Sequence, residues 1–540
     1  MKRKLTALLL CICFVLSACG TKEIPLNRID DKYRTFYEVF VYSFYDSDGD
    51  GIGDLKGLID KLDYINDGND KTDTDLSFDG IWLMPIMPSD SYHKYDVKDY
   101  CAVDSSYGSL EDFDLLIEEC DKRGVNVIID LPINHTSSSH EWFTEATKYI
   151  RSCVSCGKEP DEKECKYFGY YNFTKEYKSG YYQVTGAPDW YYEAEFDKGM
   201  PDLNLFNEDL RRDLEKVVDF WLERGVSGFR LDAVKEFVSD NAPKNIEILT
   251  WFNDYVKSKK EDAYLVGECW TNMSTYVQYY ASGIDSLFNF AFADGEGVVA
   301  IGAKVKNRSV TAERYVDKCI QIQSMIKDVN PEGIDAPFFT NHDMDRAAGY
   351  FNDEYGEYEV KMAAALNLLM TGTCFVYYGE EIGMSGSGKD ENKRAPMYWS
   401  QDSEAEGMCK GPSGMEKFDM KYPSLEEQSE DESSIYNFYK ALIKLRNQNP
   451  EILRGEVTKE EGTDKEAAVI KKNYNGSEIL IIINLSKEEK TLDLCSLTLN
   501  GLSFSQSKER GTLYADSSLG KITKEENTIT LPGFSIAVYK

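Results

Sequence analysis

Acidic side chains follow several short apolar runs of the sequence, and two of them have a histidine close by. The positions are Asp130 with Asn134 and His135, Asp232 with Arg230, Glu268, and Asp343 with Asn341 and His342. A single acid after a strand can equally be a helix N-cap or a solvated loop charge. Four such positions together indicate one shared site. Paired carboxylates are what glycoside hydrolysis requires, because one attacks or activates water while the other protonates the departing oxygen.

The neighbours of these acids support the same chemistry. Arg230 beside Asp232 would hold that carboxylate ionised, and a carboxyl group in a drier place can keep its proton. Histidine side chains can donate hydrogen bonds to sugar hydroxyls without carrying a full charge at neutral pH. The sequence has no Gly-rich phosphate cradle with a lysine, so phosphoryl transfer fits poorly.

The elements that would position these residues alternate between short β-rich runs and longer amphipathic stretches. The eight apolar runs cover residues 37–44, 80–84, 125–131, 228–231, 264–266, 286–290, 337–340 and 374–378. Helical periodicity between them, as in residues 110–120 and 210–223, favours a parallel sheet. Eight such units predict a (β/α)8 TIM barrel, whose active site lies at the carboxyl ends of the strands.

The chain divides into three folded parts by the spacing of these patterns. We assign residues 35–135 and 201–448 to the barrel and residues 136–200 to a loop-rich insertion after strand three. Residues 449–540 form a C-terminal all-β sandwich domain. Its hairpin signal is Asn475-Gly476 between two β-rich runs, which predicts a type I′ turn.

The N-terminus has the layout of a secretory signal, with a basic head before the apolar run 5–16. Residues 1–18 are the predicted signal, and Leu16-Ser17-Ala18-Cys19 resembles a lipobox, so Cys19 would be lipidated and residues 19–34 a linker. The alternative is an ordinary signal cleaved nearby. We therefore expect an exported protein, lipid-anchored to the outside of the cytoplasmic membrane or the cell surface.

Composition limits the partners of the chain. The 540 residues include 61 Lys plus Arg and 94 Asp plus Glu, giving a formal net charge of −33. Such acidity excludes a nucleic-acid partner and suits an uncharged substrate. A monomer is the default expectation.

Three cysteines lie close together in the insertion. Cys153, Cys156 and Cys165 could form a disulfide in an exported protein or, as the alternative, a three-thiolate zinc site. We favour one disulfide.

A run of aspartates at alternate positions follows the first β-rich run. The candidate metal ligands are Asp46, Asp48, Asp50, Ile52 and Asp54. The first part resembles an EF-hand loop, but position twelve would be Gly57 instead of the bidentate Glu, so an EF-hand is excluded. The alternative to a metal site is a solvated acidic turn.

Five segments together resemble the α-amylase family of glycoside hydrolases, family 13. They are residues 130–135, 228–235, 267–268 and 340–343, with Met200-Pro-Asp-Leu-Asn204 as a further region. The form of the last region is similar to the subgroup intermediate between oligo-1,6-glucosidases and neopullulanases. The resemblance covers about residues 35–540 and implies that Asp232 is the nucleophile, Glu268 the general acid/base and Asp343 the transition-state stabiliser. It also implies a retaining mechanism through a covalent intermediate.

The same resemblance implies the sugar pocket and the metal. The matching substrate-binding residues are Tyr95, Asp96, His93, His135, Arg230, His342, Lys235 and Arg394. Tyr95 would be the stacking platform beneath the sugar. In glucosidase relatives the arginine matching Arg394 can pair with the acid matching Asp96 and close the pocket end; the alternative for Arg394 is a structural role. The aspartate run matches a structural calcium loop of the family.

The sequence departs from the family pattern at two places. Lys94 stands where Gly is commoner, and Glu236 replaces a His of many α-amylases, which leaves a second calcium and the leaving-side sugar preference open. Met200 and Ala233 favour an endo-acting α-amylase cleaving α-1,4 bonds of starch and maltooligosaccharides. The alternatives are an exo-acting α-glucosidase, an oligo-1,6-glucosidase or a 4-α-glucanotransferase, and more remotely a non-catalytic sugar-binding lipoprotein.

Overall fold

The structure is a computed structural model that describes residues 32–69 and 71–540. The predicted signal 1–18, the lipidation residue Cys19 and most of the linker lie outside the described residues. Within the described ranges no helix is long and apolar enough to cross a membrane.

Eight parallel strands form the centre of the chain, as the alternating pattern predicts. They are Thr35–Val39 (β1), Gly80–Leu83 (β2), Asn126–Leu131 (β3), Gly228–Leu231 (β4), Tyr264–Gly267 (β5), Ser286–Phe288 (β6), Ile334–Ala336 (β7) and Cys374–Tyr377 (β8). Neighbours along the chain pair in order from β1 to β7, and β8 pairs with β1. The N–H of Phe375 donates to the carbonyl of Pro337 at 2.9 Å, which closes the cylinder between β7 and β8.

Two strands differ most from the bounds that the sequence predicts. β7 ends at Ala336, and only Phe338 of the predicted run 337–340 forms a bridge, to Phe375. β1 ends at Val39 because the chain turns into a short 3-10 helix, Val41–Ser43. Val41 is as buried as the strand before it, so hydrophobicity does not mark where the strand ends.

Helices surround the barrel and pack their apolar faces on it. They are Leu55–Asp60 and Leu62–Ile65 after β1, Leu110–Arg123 after β2, Glu208–Glu223 after β3, Ala242–Lys259 after β4, Met273–Tyr276 after β5, Val298–Ala303 and Ala312–Val329 after β6, Gly356–Leu368 after β7, and Ile435–Asn447 after β8. Short helices at Asp390–Lys393, Leu425–Ser429 and Pro450–Arg454 lie in the connections. Polar caps set where the long helices begin: Ser109 and Asp112 form a capping box, and Asn207 accepts from the N–H of Leu210.

The insertion leaves the barrel after β3 and returns beside its point of departure, since His135 and Asp202 form an antiparallel bridge. It contains the helix Glu141–Cys156 and a small sheet of Phe173–Thr174, Tyr191–Glu193 and Tyr181–Gln183.

The favoured disulfide of the insertion is wrong in this structure. Cys153, Cys156 and Cys165 are free thiols. Cys153 and Cys156 lie in one helix, where the first is buried and the second exposed, so they face different surroundings. Among the described residues the three thiols form no metal cluster either.

The C-terminal domain is the predicted β-sandwich. Its five-stranded sheet contains Glu456–Lys459, Ala467–Tyr474, Ser477–Asn484, Ser535–Tyr539 and Glu509–Tyr514, and its three-stranded sheet contains Lys490–Asp493, Thr528–Leu531 and Thr523–Glu525. Val469 and Ile482 of the first sheet share a core with Leu492 and Ile529 of the second. The predicted type I′ turn is confirmed, because Asn475 and Gly476 have φ of 52° and 81° between paired strands.

Candidate active site

The acids predicted from the sequence meet at the carboxyl ends of the barrel strands. Asp130 lies in β3, Asp232 and Glu268 come directly after β4 and β5, and Asp343 lies in the turn after β7. Gly228 lets β4 lie close to β5: its φ is 156°, and a Cβ there would come within 1.9 Å of the Tyr264 carbonyl oxygen. Glycine at this position therefore allows the strand pairing that sets Asp232 beside Glu268.

Arg230 is the centre of the charge cluster. Its Nη1 donates to Asp130 at 2.8 Å and to Asp232 at 2.7 Å, while its Nη2 donates to Glu268. The guanidinium is fully buried, so it meets these carboxylates without solvent screening. Arg230 thereby fixes the orientation of both carboxyl groups that cleavage requires.

Burial separates the protonation states of the acids. Burial raises the pKa of Glu268 to about 8, and the charge of Arg230 opposes that rise. Burial likewise raises the pKa of Asp130 to about 7 despite Arg230. At neutral pH Glu268 consequently carries the proton that a general acid must donate.

Asp343 is held by two cationic groups on opposite oxygens. Arg394 Nη2 lies 2.8 Å from Oδ1, and His342 Nε2 lies 3.0 Å from Oδ2. Burial would favour the neutral acid, but His342 and Arg394 hold the pKa of Asp343 well below its usual range. Asp343 is therefore ionised, as a residue that stabilises developing positive charge must be.

The loop after β2 carries Tyr95 and His93 into the site. Tyr95 donates its hydroxyl to Asp130 at 2.9 Å, and its ring stacks on that of His342. The N–H of Tyr95 donates to Nδ1 of His93 at 3.2 Å, so the ring proton of neutral His93 lies on Nε2. Burial and then the charge of Arg394 lower the pKa of His93 to about 4, which keeps this ring neutral.

Lys94 adopts a backbone conformation that explains why glycine is commoner there. Its φ is 62°, in the left-handed region that favours glycine. The side chain is buried and its Nζ forms an ion pair with Asp104 at 2.8 Å. The departure from the family pattern is therefore compensated by a local ion pair.

His135 lies on the side of the insertion. Asn134, the residue before it, donates to Asp202 at 3.2 Å across the junction between insertion and barrel. Nε2 of His135 is buried without a hydrogen-bond partner among the described residues, and burial lowers the pKa of the ring. A sugar hydroxyl would supply the missing partner.

These side chains surround a cavity of about 520 Å³. Eight of the predicted site residues line it: His93, Tyr95, His135, Asp232, Lys235, Glu268, Asp343 and Arg394. Arg230 and His342 are fully buried behind this lining. Asp96 also lies behind it, where it accepts from Ser89 at 2.5 Å and from Ser91.

Arg394 and Asp96 do not form the pair that the matching residues of glucosidase relatives can form. Arg394 instead pairs with Asp343 and donates from Nη1 to the hydroxyl of Tyr92 at 3.1 Å. The two serines preceding Asp96 already satisfy its carboxylate, so it does not reach the arginine.

Sequence reasoning missed several residues that line the cavity. They are Phe196, Asp197, Met200 and Glu236 at the mouth toward the insertion, Ala233, and Trp270 and Asp390. Met200, Ala233 and Glu236 belong to recognised motifs and bear on the expected specificity, but none of them is among the predicted substrate-binding residues. Phe196 and Trp270 are exposed aromatic rings. Phe196 lies near the Met200 motif and Trp270 lies two residues after Glu268, and these positions in the sequence could have indicated their place in the pocket. Asp390, far along the chain, gave none.

The predicted calcium loop brings three of its four candidate aspartates together. Asp46, Asp48 and Asp50 offer ligand atoms that all lie within 4.8 Å of one another. One ion with oxygen ligands at about 2.3–2.6 Å fits that spacing. Asp54 lies outside this group: it caps the helix Leu55–Asp60, and its carboxylate accepts from Ser47 and Gly57 at 2.8 Å.

A barrel with this acid cluster is the architecture of a glycoside hydrolase, and comparison with known proteins identifies the family. The model of the alpha-amylase catalytic domain matches residues 38–455. The chain therefore belongs to the alpha-amylase family of glycoside hydrolases, as the motifs predict, and it is an enzyme of that family.

The proteins similar to this chain include an alpha-amylase and an oligo-1,6-glucosidase. Alpha-amylase 3 of Dictyoglomus thermophilum is 34% identical over 94% of this chain and 93% of its own length. An oligo-1,6-glucosidase of Parageobacillus thermoglucosidasius is 30% identical over 80% of this chain and 86% of its own length. Among solved structures, Eubacterium rectale Amy13B superposes with a TM-score of 0.89 at 48% identity, covering 95% of this chain and 96% of that one.

Proposed function

We propose that this enzyme is an endo-acting α-amylase that cleaves α-1,4 bonds of starch and maltooligosaccharides with retention of configuration. A carboxylate oxygen of Asp232 attacks the anomeric carbon, the bond to the leaving oxygen breaks, and Glu268 gives its proton to that oxygen. Water then attacks the glycosyl ester on Asp232, passes its proton to Glu268, and releases the sugar. Asp343 stabilises the positive charge of both transition states.

The observation that carries the endo assignment is the partner of Arg394. An arginine paired with the acid at the position of Asp96 would close one end of the cavity and restrict it to chain ends. Here Arg394 is bound to Asp343 and Tyr92, and Asp96 to Ser89 and Ser91. A cavity without that bridge accepts a chain that continues past the reacting glucose.

An exo-acting glucosidase or oligo-1,6-glucosidase is the second candidate. It is favoured by the similarity to the oligo-1,6-glucosidase of Parageobacillus thermoglucosidasius, which extends over most of the chain. A 4-α-glucanotransferase would use the same covalent intermediate with a sugar in place of water.

A timed product profile on maltoheptaose, pullulan and soluble starch separates these candidates. The endo assignment predicts several maltooligosaccharides in the first minutes, before glucose accumulates. Release of glucose alone from the non-reducing end would contradict it, and products longer than maltoheptaose in the reaction with maltoheptaose would indicate transfer. Asp232→Asn, which preserves the shape of the side chain, is the control and should leave no turnover.

We further propose a structural calcium ion and a lipid anchor. Asp46, Asp48 and Asp50 would supply carboxylate ligands that tie the loop after β1 to the barrel, and the Ile52 carbonyl and Asp54 are further predicted ligands. The anchor at Cys19 would place the enzyme outside the cytoplasm, where α-glucans are met as uncharged polymers. A Cys19→Ala variant should lose its association with the membrane fraction; retention there would contradict the anchor.

A further inference from the structure

Glu38 is a buried acid inside the barrel that no motif of the sequence singles out. It lies in β1 between Tyr37 and Val39. Side chains alternate along a strand, and the hydroxyl of the neighbouring Tyr37 donates to Glu381 on the outer side of the barrel. Its side chain is 1% exposed, and one carboxylate oxygen lies 2.6 Å from Nδ1 of His342. A buried carboxylate is costly unless it is paired. The partner of Glu38 is His342, which lies 304 residues further along the chain.

We propose that Glu38 is a positioning residue: it fixes Nε2 of His342 as a hydrogen-bond donor and so holds Asp343 in place. This inference rests on the proposed role of Asp343 as the transition-state stabiliser. Glu38 itself does not touch the cavity that takes the sugar, because His342 stands between it and Asp343.

The hydrogen-bond geometry determines the state of the ring. Nδ1 faces the carboxyl group of Glu38, and Nε2 faces Asp343 at 3.0 Å and the hydroxyl of Tyr95 at 2.7 Å. One proton lies between Glu38 and Nδ1. On the opposite side the ionised carboxylate of Asp343 can only accept, so Nε2 must carry a proton as well. When Nδ1 holds the shared proton, the ring is therefore the imidazolium cation, which the carboxylate of Glu38 stabilises.

The surrounding charges act in the same direction. Burial alone would lower the pKa of His342, but the carboxylates of Asp343 and Glu38 raise it to about 9. The other polar or charged groups near the ring are Trp82 of β2, Tyr95, Asp130 of β3, Arg230 of β4, Glu268 and Arg394. Asp130 and Glu268 favour the cation at pH values where they are ionised, whereas Arg230 and Arg394 oppose it. Glu38 is the carboxyl group that faces Nδ1.

Loss of the Glu38 charge would free the ring to change its protonation. A neutral His342 could then place its single proton on Nδ1, and a bare Nε2 lone pair would face the carboxylate of Asp343. The two would repel each other, and Asp343 would keep only the hydrogen bond of Arg394 on its other oxygen.

The test compares Glu38→Gln and Glu38→Asp with the wild type over pH 5 to 9. In Glu38→Gln the pKa of His342, about 9 in the wild type, should fall by about 1 pH unit or more, because an opposite charge has been removed. His342 then loses its proton together with Glu268, so the basic limb of kcat should become steeper and begin at lower pH. The decrease of kcat should be larger than the change of KM. Glu38→Asp keeps the negative charge, so its basic limb should differ less from that of the wild type. Glu380→Gln, which alters another buried glutamate away from the cavity, is the matched control and should leave the limb in place.

Two outcomes of the kinetic test would overturn the proposal. One is a folded Glu38→Gln variant with the kcat and pH profile of the wild type. The other is a loss of activity that is the same at every pH, because that indicates a structural role only.

The wild-type protein offers a readout that requires neither a change at Glu38 nor a substrate. The chain has four histidines, so ¹⁵N-histidine spectra are simple, and His342 can be assigned by eliminating the other three with His→Gln variants. We expect Nε2 of His342 to be protonated at pH 7.5. A bare Nε2 with the proton on Nδ1 would overturn the inference even if the enzyme cleaves α-glucans, and a protonated Nε2 would support it even if the proposed substrate is wrong.

Discussion

Arg230 binds Asp232 and Glu268 at the same time, through different nitrogens of one guanidinium group. Nη1 donates to Asp232 at 2.7 Å and Nη2 to Glu268. A single rigid, planar cation therefore sets the relative position of the nucleophile and the acid. It stabilises charge on Asp232, while burial keeps the proton on Glu268, so two carboxyl groups of one cluster take different roles.

The protonation of Glu268 predicts the alkaline side of the pH profile. Burial raises its pKa to about 8, so kcat/KM in the free enzyme should fall as pH rises through about 8, where the acid is lost. The measurement is kcat/KM on a maltooligosaccharide from pH 5 to 9.

Glu268→Gln provides the matched test of this limb. The amide cannot protonate the leaving oxygen, so hydrolysis of a normal glycoside should fall by about 10²–10⁴-fold. With a substrate that has a good leaving group, such as α-maltosyl fluoride, the pH profile of the variant should lack the alkaline limb. An unchanged limb would assign it to another group.

The ion pair of Arg394 with Asp343 predicts a change on the acidic side. Removing the guanidinium in Arg394→Gln takes away a charged hydrogen bond worth about 1.5–3 kcal/mol and lets the pKa of Asp343 rise. kcat should fall, and the acidic limb should move to higher pH.

Arg394→Lys distinguishes charge from geometry at this position. Lysine keeps the positive charge, so the acidic limb should stay near its wild-type position while kcat recovers only in part. If Arg394→Gln leaves the acidic limb where it is in the wild type, Arg394 does not act on Asp343.

The aspartate loop predicts a stability that depends on calcium. An ion that binds only the folded state at 100 times its Kd stabilises that state by about 2.7 kcal/mol, so chelation should lower Tm. The double variant Asp48→Asn/Asp50→Asn should have a low Tm that added calcium does not raise. Glu118→Gln, an exposed acid on the helix Leu110–Arg123, should respond like the wild type. An unchanged Tm on chelation, with no calcium found by elemental analysis, would refute the site.

Glu380 predicts a loss of stability as pH rises. It is buried between the hydroxyls of Thr340 and Tyr439, and burial raises its pKa from 4.5 to about 8. Between these values the unfolded chain has released its proton while the folded chain keeps it, so the free energy of unfolding falls by up to about 1.4 kcal/mol per pH unit.

Glu380→Gln removes this titration. Its Tm relative to the wild type should therefore rise steadily from pH 5 to pH 8. A constant difference over that range would mean that Glu380 is already ionised in the folded protein.

The barrel and the acid cluster could be predicted from the sequence because each motif combines a strand with the residue at its end. Asp232 follows β4 and Glu268 follows β5, and parallel strands bring such positions to one rim. The hairpin at Asn475 was equally predictable, since a two-residue turn with both φ positive has a narrow choice of residues.

The partners of individual side chains could not be predicted in the same way. Asp96 is satisfied by two serines of its own loop, so Arg394 turns to Asp343 instead. Glu38 contacts His342 because closure of the barrel brings together two residues that are 304 positions apart in the sequence. Such contacts depend on tertiary packing, which no local pattern of residues encodes.

The covalent step on Asp232 is the central claim, and it can be observed directly. In Glu268→Gln, α-maltosyl fluoride should still glycosylate the enzyme because fluoride leaves without protonation, while hydrolysis of the ester lacks its base. Digestion and mass spectrometry of the trapped protein should find one maltosyl ester, in the peptide containing residues 228–235 and on Asp232. An ester on Asp343 would contradict the mechanism. So would equal labelling of Glu268→Gln and of the double variant that also carries Asp232→Asn.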